Sequence, residues 1–196
     1  ERAYGCCGKG KIYICRTISS SIGGTWVEVD FEGGSVIDDF LPPKEYNEIF
    51  RAIRNEDFPY GFIDQVIDKQ VNKFDYYFAN MVYQRDMPNS PVAPLIMNTF
   101  IPKLMKLGVF NCLMRIKVNC YPHTDVLKEH EPHTDQDFFV KGAIFSINTC
   151  NGFTRYKDTK VDSIKNRMFF FDSSAPHNSS TTTDAGARFN INFNFL

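Results

Sequence analysis

The last nine residues read RFNINFNFL, and they alternate without a break. In an extended chain Phe189, Ile191, Phe193 and Phe195 fall on one side, and Arg188, Asn190, Asn192 and Asn194 on the other. The apolar side needs a core to pack on. A strand whose second side is wholly polar suits a barrel or double sheet with a hydrophilic interior pocket.

The segments before it have a similar character. From Gly108 onward helical signals vanish. VFNCLMRIKVNCY (109–121), DFFVKGAIFSINTC (137–150), GFTRYKD (152–158), TKVDSI (159–164) and NRMFFFDSS (166–174) read as strands. Asn151-Gly152, Asp158, Asn166, Ser173-Ser174 and Asp184-Ala185-Gly186 supply the turns between them. The chain has 19 Phe and a single Trp, and Phe-rich runs suit pleated, half-buried strands. Upstream, TWVEVDF (25–31) predicts a strand, and DYYFANMVYQRD (75–86) is aromatic and extended.

Two segments read as helices. In 38–55 prolines precede Tyr46, Ile49, Phe50 and Ile53, which share one helical face. In 92–108 the apolar side is read as Leu95, Ile96, Thr99, Ile101, Leu104 and Met105. Pro102 should kink that helix or bound it, and Gly108 should end it. The expected fold is mainly β: a jelly roll or double-sheet barrel braced by two N-terminal helices. At 196 residues the chain suits one domain, placed at 25–196. Residues 1–24, rich in Gly and Ser, read as a leader, a cloning remnant or an edge hairpin.

A net charge of −1 and the lack of a long basic run do not advertise a nucleic-acid or membrane surface. The six Cys (Cys6, Cys7, Cys15, Cys112, Cys120 and Cys150) lack the paired C-x-x-C spacing of a zinc ribbon, and are expected to be mostly reduced, buried thiols. No run of about 18 apolar residues and no signal-peptide pattern occurs, so a cytoplasmic protein is expected.

Three of the four His lie in YPHTDVLKEHEPHTDQDFF (121–139), which contains His-Thr-Asp twice. In extended backbone a His and an Asp two positions apart point to one side. A second imidazole from a neighbouring strand would complete a two-His-one-carboxylate triad, the donor set of non-haem Fe(II) sites with open positions. His133-Thr134-Asp135 runs on into the apolar strand FVKGAIFSI, which would back a rigid site. His123-Thr124-Asp125 follows Pro122 and leads into the charged VLKEHEP, so it reads as solvated loop. His130 reads equally as a pocket-rim residue or an exposed one. The fourth, His177, follows the strand-like MFFFDSSAP and is placed at a polar turn.

The order His133-Thr134-Asp135, then His177, then Arg188 eleven positions later resembles the 2-oxoglutarate/Fe(II)-dependent dioxygenases, in particular their prolyl-4-hydroxylase-like branch. The resemblance covers roughly residues 38–196, in detail from Arg115 onward, and extends to small oxygenases of marine bacteriophage genomes. It implies a double-stranded β-helix and a bacterial or phage-infected host cell. It implies Fe(II) held by His133, Asp135 and His177, with 2-oxoglutarate as cosubstrate and ascorbate as an optional further cofactor. Arg188 would pair with the distal carboxylate of 2-oxoglutarate, a match of fork to carboxylate. Asn190, two after it, would face the pocket, and Asn119 and Tyr121 would hydrogen-bond the cosubstrate. Gly152 and Thr154 match a G-x-T run of the hydroxylase branch, or are simply a turn and a strand. The implied reaction hydroxylates a substrate while 2-oxoglutarate becomes succinate and carbon dioxide. Relatives that halogenate replace the Asp ligand with a small residue, so Asp135 favours hydroxylation.

The expected substrate is a protein or peptide side chain, with no membrane partner, and the chain is expected as a monomer or a dimer. A nucleic-acid dealkylase is the alternative, since N-x-Y ahead of H-x-D with R-x-N near the end also resembles that branch. Asn194, where that branch tends to carry a further Arg, and the near-neutral charge count against it. A non-enzymatic jelly-roll binding or virion protein is the third reading.

Overall fold

The structure, a computed structural model, describes residues 13–14, 17–19, 25–64 and 76–196. In chain order the elements are β1 (Tyr13–Ile14), β2 (Thr17–Ser19), β3 (Thr25–Val27), β4 (Ser35–Ile37), α1 (Pro43–Ile53), β5 (Gly61–Ile63), β6 (Tyr77–Gln84), β7 (Met87–Pro88), α2 (Ala93–Lys106), β8 (Leu113–Pro122), β9 (Lys141–Ser146), β10 (Phe153–Tyr156), β11 (Thr159–Asp162), β12 (Arg167–Asp172), β13 (His177–Ser179) and β14 (Ala187–Phe195). A nine-stranded sheet runs β1-β4-β12-β9-β14-β8-β6-β5, with β7 paired to β6, and a three-stranded sheet runs β11-β10-β13. The helices pack outside the large sheet and the small sheet faces its other side, which is a double-stranded β-helix.

The alternating C-terminal run is β14, and it lies antiparallel between β8 and β9. Its apolar side meets the helices. Phe193 packs against Phe100 of α2 at a tilt of 48° with ring centres 4.9 Å apart, and Phe100 meets Phe145 of β9 at the same distance. Burying one such Phe contributes about 2 kcal/mol. On the polar side, register sets Arg188 opposite Tyr121, Asn190 opposite Asn119, Asn192 opposite Lys117 and Asn194 opposite Arg115. Two adjacent polar rows therefore face the small sheet.

Helix α1 starts at Pro42 and Pro43, whose fixed φ suits a first turn. Ile49 and Ile53 are fully buried, with Tyr46 and Phe50 packed beside them. In α2 the buried stripe is Ala93, Ile96, Phe100 and Leu104. Ile96 and Leu104 were expected there. Met105 is 60% exposed, and Phe100 takes the central place the sequence reading left out. Pro102 stays inside α2 on its exposed side, and Asn98, whose carbonyl loses its helical partner to it, is exposed as well. Gly108 ends the helix with φ +70°, a backbone that favours glycine.

The expected strand at 25–31 stops at Val27. The Asp30 carboxylate accepts from the Gly33 amide at 2.9 Å and closes a turn, and the chain re-enters the sheet as β4. The five strand segments expected between Gly108 and Ser174 form, as does the final one. His177 is not in a turn: it begins β13, a short buried strand that pairs with β10. Its sequence, HNS, carries no apolar signal, because its side chains face the cleft or polar neighbours. Of the described Cys, all free thiols, Cys150 is buried, Cys120 partly buried and Cys112 exposed, the last against expectation. Cys6, Cys7 and Cys15, like most of residues 1–24, lie outside the described residues. No described helix is long and apolar enough to cross a membrane.

Candidate metal centre and its cleft

The second His-Thr-Asp copy is not backed by a strand in the way the sequence suggests. Strand β9 begins only at Lys141, and the copy sits on an irregular segment. Cross-chain hydrogen bonds fix it instead. His133 and His177 exchange both backbone bonds, at 2.9 and 3.0 Å, and the Asp135 amide donates to Ser173 at 2.9 Å. Upstream, His130 and Glu129 also pair with β13 residues or their neighbour, so 129–133 runs as a ragged fourth ribbon of the small sheet.

This pairing brings His133, Asp135 and His177 together, with one donor atom from each lying within 4.8 Å of the others. His133 Nε2 is 3.8 Å from Asp135 Oδ1, and His177 Nε2 is 3.9 Å from Oδ2. The His177 Nδ1 donates to the Ala175 carbonyl at 3.0 Å, which leaves a lone pair on Nε2 facing the carboxylate. Burial, followed by the charge of His177, pushes His133 down to about 4, and burial lowers His177 as well. Both imidazoles are therefore neutral near pH 7. Burial alone would raise the Asp135 carboxyl, but Arg115, His177 and Asn194 outweigh it and hold it at about 2. Two lone pairs and one carboxylate converging without an intervening proton are a ready cation site. The mixed nitrogen and oxygen set fits Fe(II). Among the described residues no second group of three such ligands converges.

Asp135 is held from two strands. Arg115 on β8 reaches Oδ1 at 2.8 Å, and Asn194 on β14 donates to Oδ2 at 2.9 Å. Arg115 Nε also donates to the Asn194 amide oxygen at 2.8 Å, so the two holders brace each other.

The triad opens into a small polar cleft between the sheets. Tyr77, Lys117, Asn119, Tyr121, Thr154 and Asn190 line it with the triad. Asn119 donates to Asn190 across the strand pair at 2.9 Å, and both amides are buried. Arg188 lies behind these side chains and is 1% exposed. It donates to the Thr154 hydroxyl at 2.8 Å and the Ser180 carbonyl at 3.3 Å, and lies 5.5 Å over the Tyr121 ring. Among the described residues its Nε finds no hydrogen-bond partner and no acidic side chain pairs with it. A buried, unpaired guanidinium is costly, and an incoming carboxylate would offset that cost.

Gly152 is what lets Arg188 lie there. A Cβ on it would stand 2.7 Å from Arg188 Cδ and 2.6 Å from the Thr181 carbonyl. The G-x-T run thus serves the site through both members, Gly152 as space and Thr154 as a hydrogen-bond partner. His130 is buried, with Nδ1 2.9 Å from the Ser179 hydroxyl and its ring 5.5 Å from that of Tyr121, so exposure is ruled out for it. His123 and Asp125 are exposed. Arg115, Lys117 and Tyr77 also belong to the site, though no motif marks them. Arg115 and Lys117 could have been found, since they share the alternation of Asn119 and Tyr121 on β8.

No family model and no curated protein matches the chain. Solved structures do. A prolyl hydroxylase from Trichoplax adhaerens, in complex with a hypoxia inducible factor oxygen degradation domain peptide fragment, is 16% identical over 84% of each chain, with a TM-score of 0.58. A prolyl-4-hydroxylase from Pseudomonas putida is 11% identical over 84% of this chain and 92% of its own, also at 0.58. The non-haem alpha-ketoglutarate-dependent epimerase SnoN from nogalamycin biosynthesis is 12% identical over 84% and 78%, at 0.59. The likeness is one of fold, and what the chain does has to be argued from its own residues.

Proposed function

We propose that the chain is a non-haem Fe(II)- and 2-oxoglutarate-dependent dioxygenase that hydroxylates a protein or peptide side chain. One observation carries the reading: a two-His-one-carboxylate cluster opens into a cleft, and behind the Thr154 and Tyr121 wall of that cleft lies a buried guanidinium that no acidic side chain among the described residues neutralises. Neither feature alone is specific, but together they fit a metal and a dicarboxylate.

The roles follow from the contacts. His133 and His177 are neutral and offer Nε2; Asp135 is ionised and kept in place by Arg115 and Asn194. Arg188, anchored on Thr154, offers its fork to the distal carboxylate of the cosubstrate. Phe171 packs its ring edge on His177 at 4.9 Å and keeps water off that flank. When bound, iron and 2-oxoglutarate would supply the oxidising power for C–H hydroxylation, with succinate and carbon dioxide as the other products. A protein or peptide substrate is favoured over a nucleic acid by the net charge of −1 and by the prolyl hydroxylases among the structures of like fold. Convergence of the three ligands weighs against a non-enzymatic jelly roll.

The test is direct. Protein supplied with Fe(II), oxygen and 2-oxoglutarate should release succinate slowly without any substrate, and faster with the right one from peptide, nucleotide or small-molecule pools. An Asp135→Ala variant that keeps the full uncoupled rate would overturn the assignment.

A further inference from the structure

One charge in the cleft has no task in the reaction just described. Lys117 leaves β8 on the same side as Arg115, Asn119 and Tyr121, and it lines the cleft beside His133 and Asp135. Its ammonium has three protons to donate, and among the described residues one side chain accepts from it, the Tyr77 hydroxyl at 3.1 Å. Its neighbour Arg115 is neutralised by Asp135 at 2.8 Å, whereas among the described residues no carboxylate lies within ion-pair distance of Lys117.

Position narrows what Lys117 can serve. Its charge acts on His133 and Asp135 on one side and on Tyr121 on the other. Arg188 also acts on Tyr121, from behind the phenol. The Tyr121 ring is stacked on Tyr77 at 5.3 Å with an interplanar angle of 18°, so this wall is rigid. A buried cation, Arg188, and a half-buried one, Lys117, thus flank Tyr121, with Lys117 nearer the triad. An uncompensated cation in such a place is stabilised by an anion entering the cleft.

We propose that Lys117 is a second carboxylate-binding residue of this cleft, at its metal end and separate from Arg188. The inference rests on the oxygenase reading for the identity of one source. That source is the cosubstrate carboxylate nearest the metal; the other is an acidic group on the substrate. Both present the same chemistry to the ammonium, and the Tyr77 hydroxyl positions it for either.

Calorimetry on protein loaded with Mn(II) in place of Fe(II) reads binding without turnover. The probes are 2-oxoglutarate, pyruvate (a 2-oxo acid lacking the distal carboxylate) and propionate added to the 2-oxoglutarate-bound protein. Lys117→Gln should lose about tenfold or more in affinity for its carboxylate, the worth of one charge-assisted hydrogen bond, and Lys117→Arg should restore much of it. A matched loss for 2-oxoglutarate and pyruvate assigns Lys117 to the cosubstrate. Arg188→Met in the same experiment should weaken 2-oxoglutarate and leave pyruvate unchanged. Unchanged 2-oxo acids with loss of propionate assign Lys117 to a substrate acid. No change for any probe, in a Lys117→Gln protein whose melting temperature matches wild type, overturns the proposal. Failure of the wild-type protein to bind either 2-oxo acid would instead count against the oxygenase reading, and propionate binding to the metal-loaded protein would then judge Lys117 by itself.

Discussion

His123-Thr124-Asp125 and His133-Thr134-Asp135 have the same three side chains, but the first is bridged in parallel and the second antiparallel. Each His forms an isolated β-bridge to the chain around β13, His123 with Thr182 and His133 with His177. The difference lies across the bridge. The outer copy meets a threonine, its Asp125 is exposed, and His123 Nδ1 faces the Ala185 carbonyl at 3.1 Å. The inner copy meets a second imidazole, and its Asp135 is gripped by Arg115 and Asn194. A His-x-Asp unit is therefore a site only where other strands bring it a ligand and holders for its carboxylate.

The largest test of this contrast is removal of each carboxylate in turn. Asp135→Ala should abolish succinate release, by more than about a hundredfold, because one of three ligands is lost. Asp125→Ala should stay within about twofold of wild type, as expected for an exposed side chain. Equal losses in the two variants would erase the distinction. Next come the holders. Asn194→Ala removes one hydrogen bond to Asp135 and leaves the ligand itself in place. Losing a hydrogen bond that orients a metal ligand typically costs ten- to a hundredfold in metal affinity. Equilibrium dialysis against Mn(II) should show a loss in that range, and an unchanged affinity would reduce the contrast to His177 alone.

Much of this was legible in the sequence, and the omissions share a cause. The alternation in RFNINFNFL placed β14 and sorted its two sides correctly, because one side packs into the apolar core and the other, though also buried, faces polar neighbours. The H-x-D, His and Arg order picked out the three side chains that converge. What escaped were residues whose role depends on cross-strand register. Arg115 matters because it falls opposite Asn194, and Lys117 because it falls opposite Asn192 in the cleft wall. Nothing within β8 announces its partner. β13 escaped for the complementary reason: three polar residues, buried by their neighbours, leave no hydrophobic pattern to read.

A third test concerns the far end of the cleft, which the outer copy does not have. Gly152→Ala would drive a methyl to 2.6 Å from the Thr181 carbonyl and 2.7 Å from Arg188 Cδ. The backbone or the guanidinium must shift, at a cost of about 1–3 kcal/mol in stability. Arg188 should move off Thr154, and the apparent Michaelis constant for 2-oxoglutarate should rise by about tenfold, the worth of one well-made ionic hydrogen bond. Metal affinity should remain near wild type, since the triad lies elsewhere. If metal affinity fell while the Michaelis constant held, the two ends of the cleft would not be the separate subsites described above.

The smallest effect reads how deeply the inner copy is embedded. In the metal-free protein His133 is held at about 4 against an ordinary 6.5. Between those values the unfolded chain binds more protons than the folded one, so stability rises with pH across that window and is lost as pH falls through it. His177, lowered by burial, adds to the same slope. Asp135 acts lower down, its folded value of about 2 lying below the ordinary 3.8. Its contribution is present above 3.8 and disappears as pH falls toward 2. Melting temperatures of the metal-free protein should therefore fall in two steps on acidification. His133→Gln should flatten the upper step and Asp135→Asn the lower one. Saturating Mn(II) should steepen the upper step, because protons then compete with the metal for both imidazoles. A His133→Gln protein with the wild-type slope between pH 6.5 and 4 would mean that His133 is as well solvated as the exposed copy, and the contrast between the two would rest on Asp135 alone.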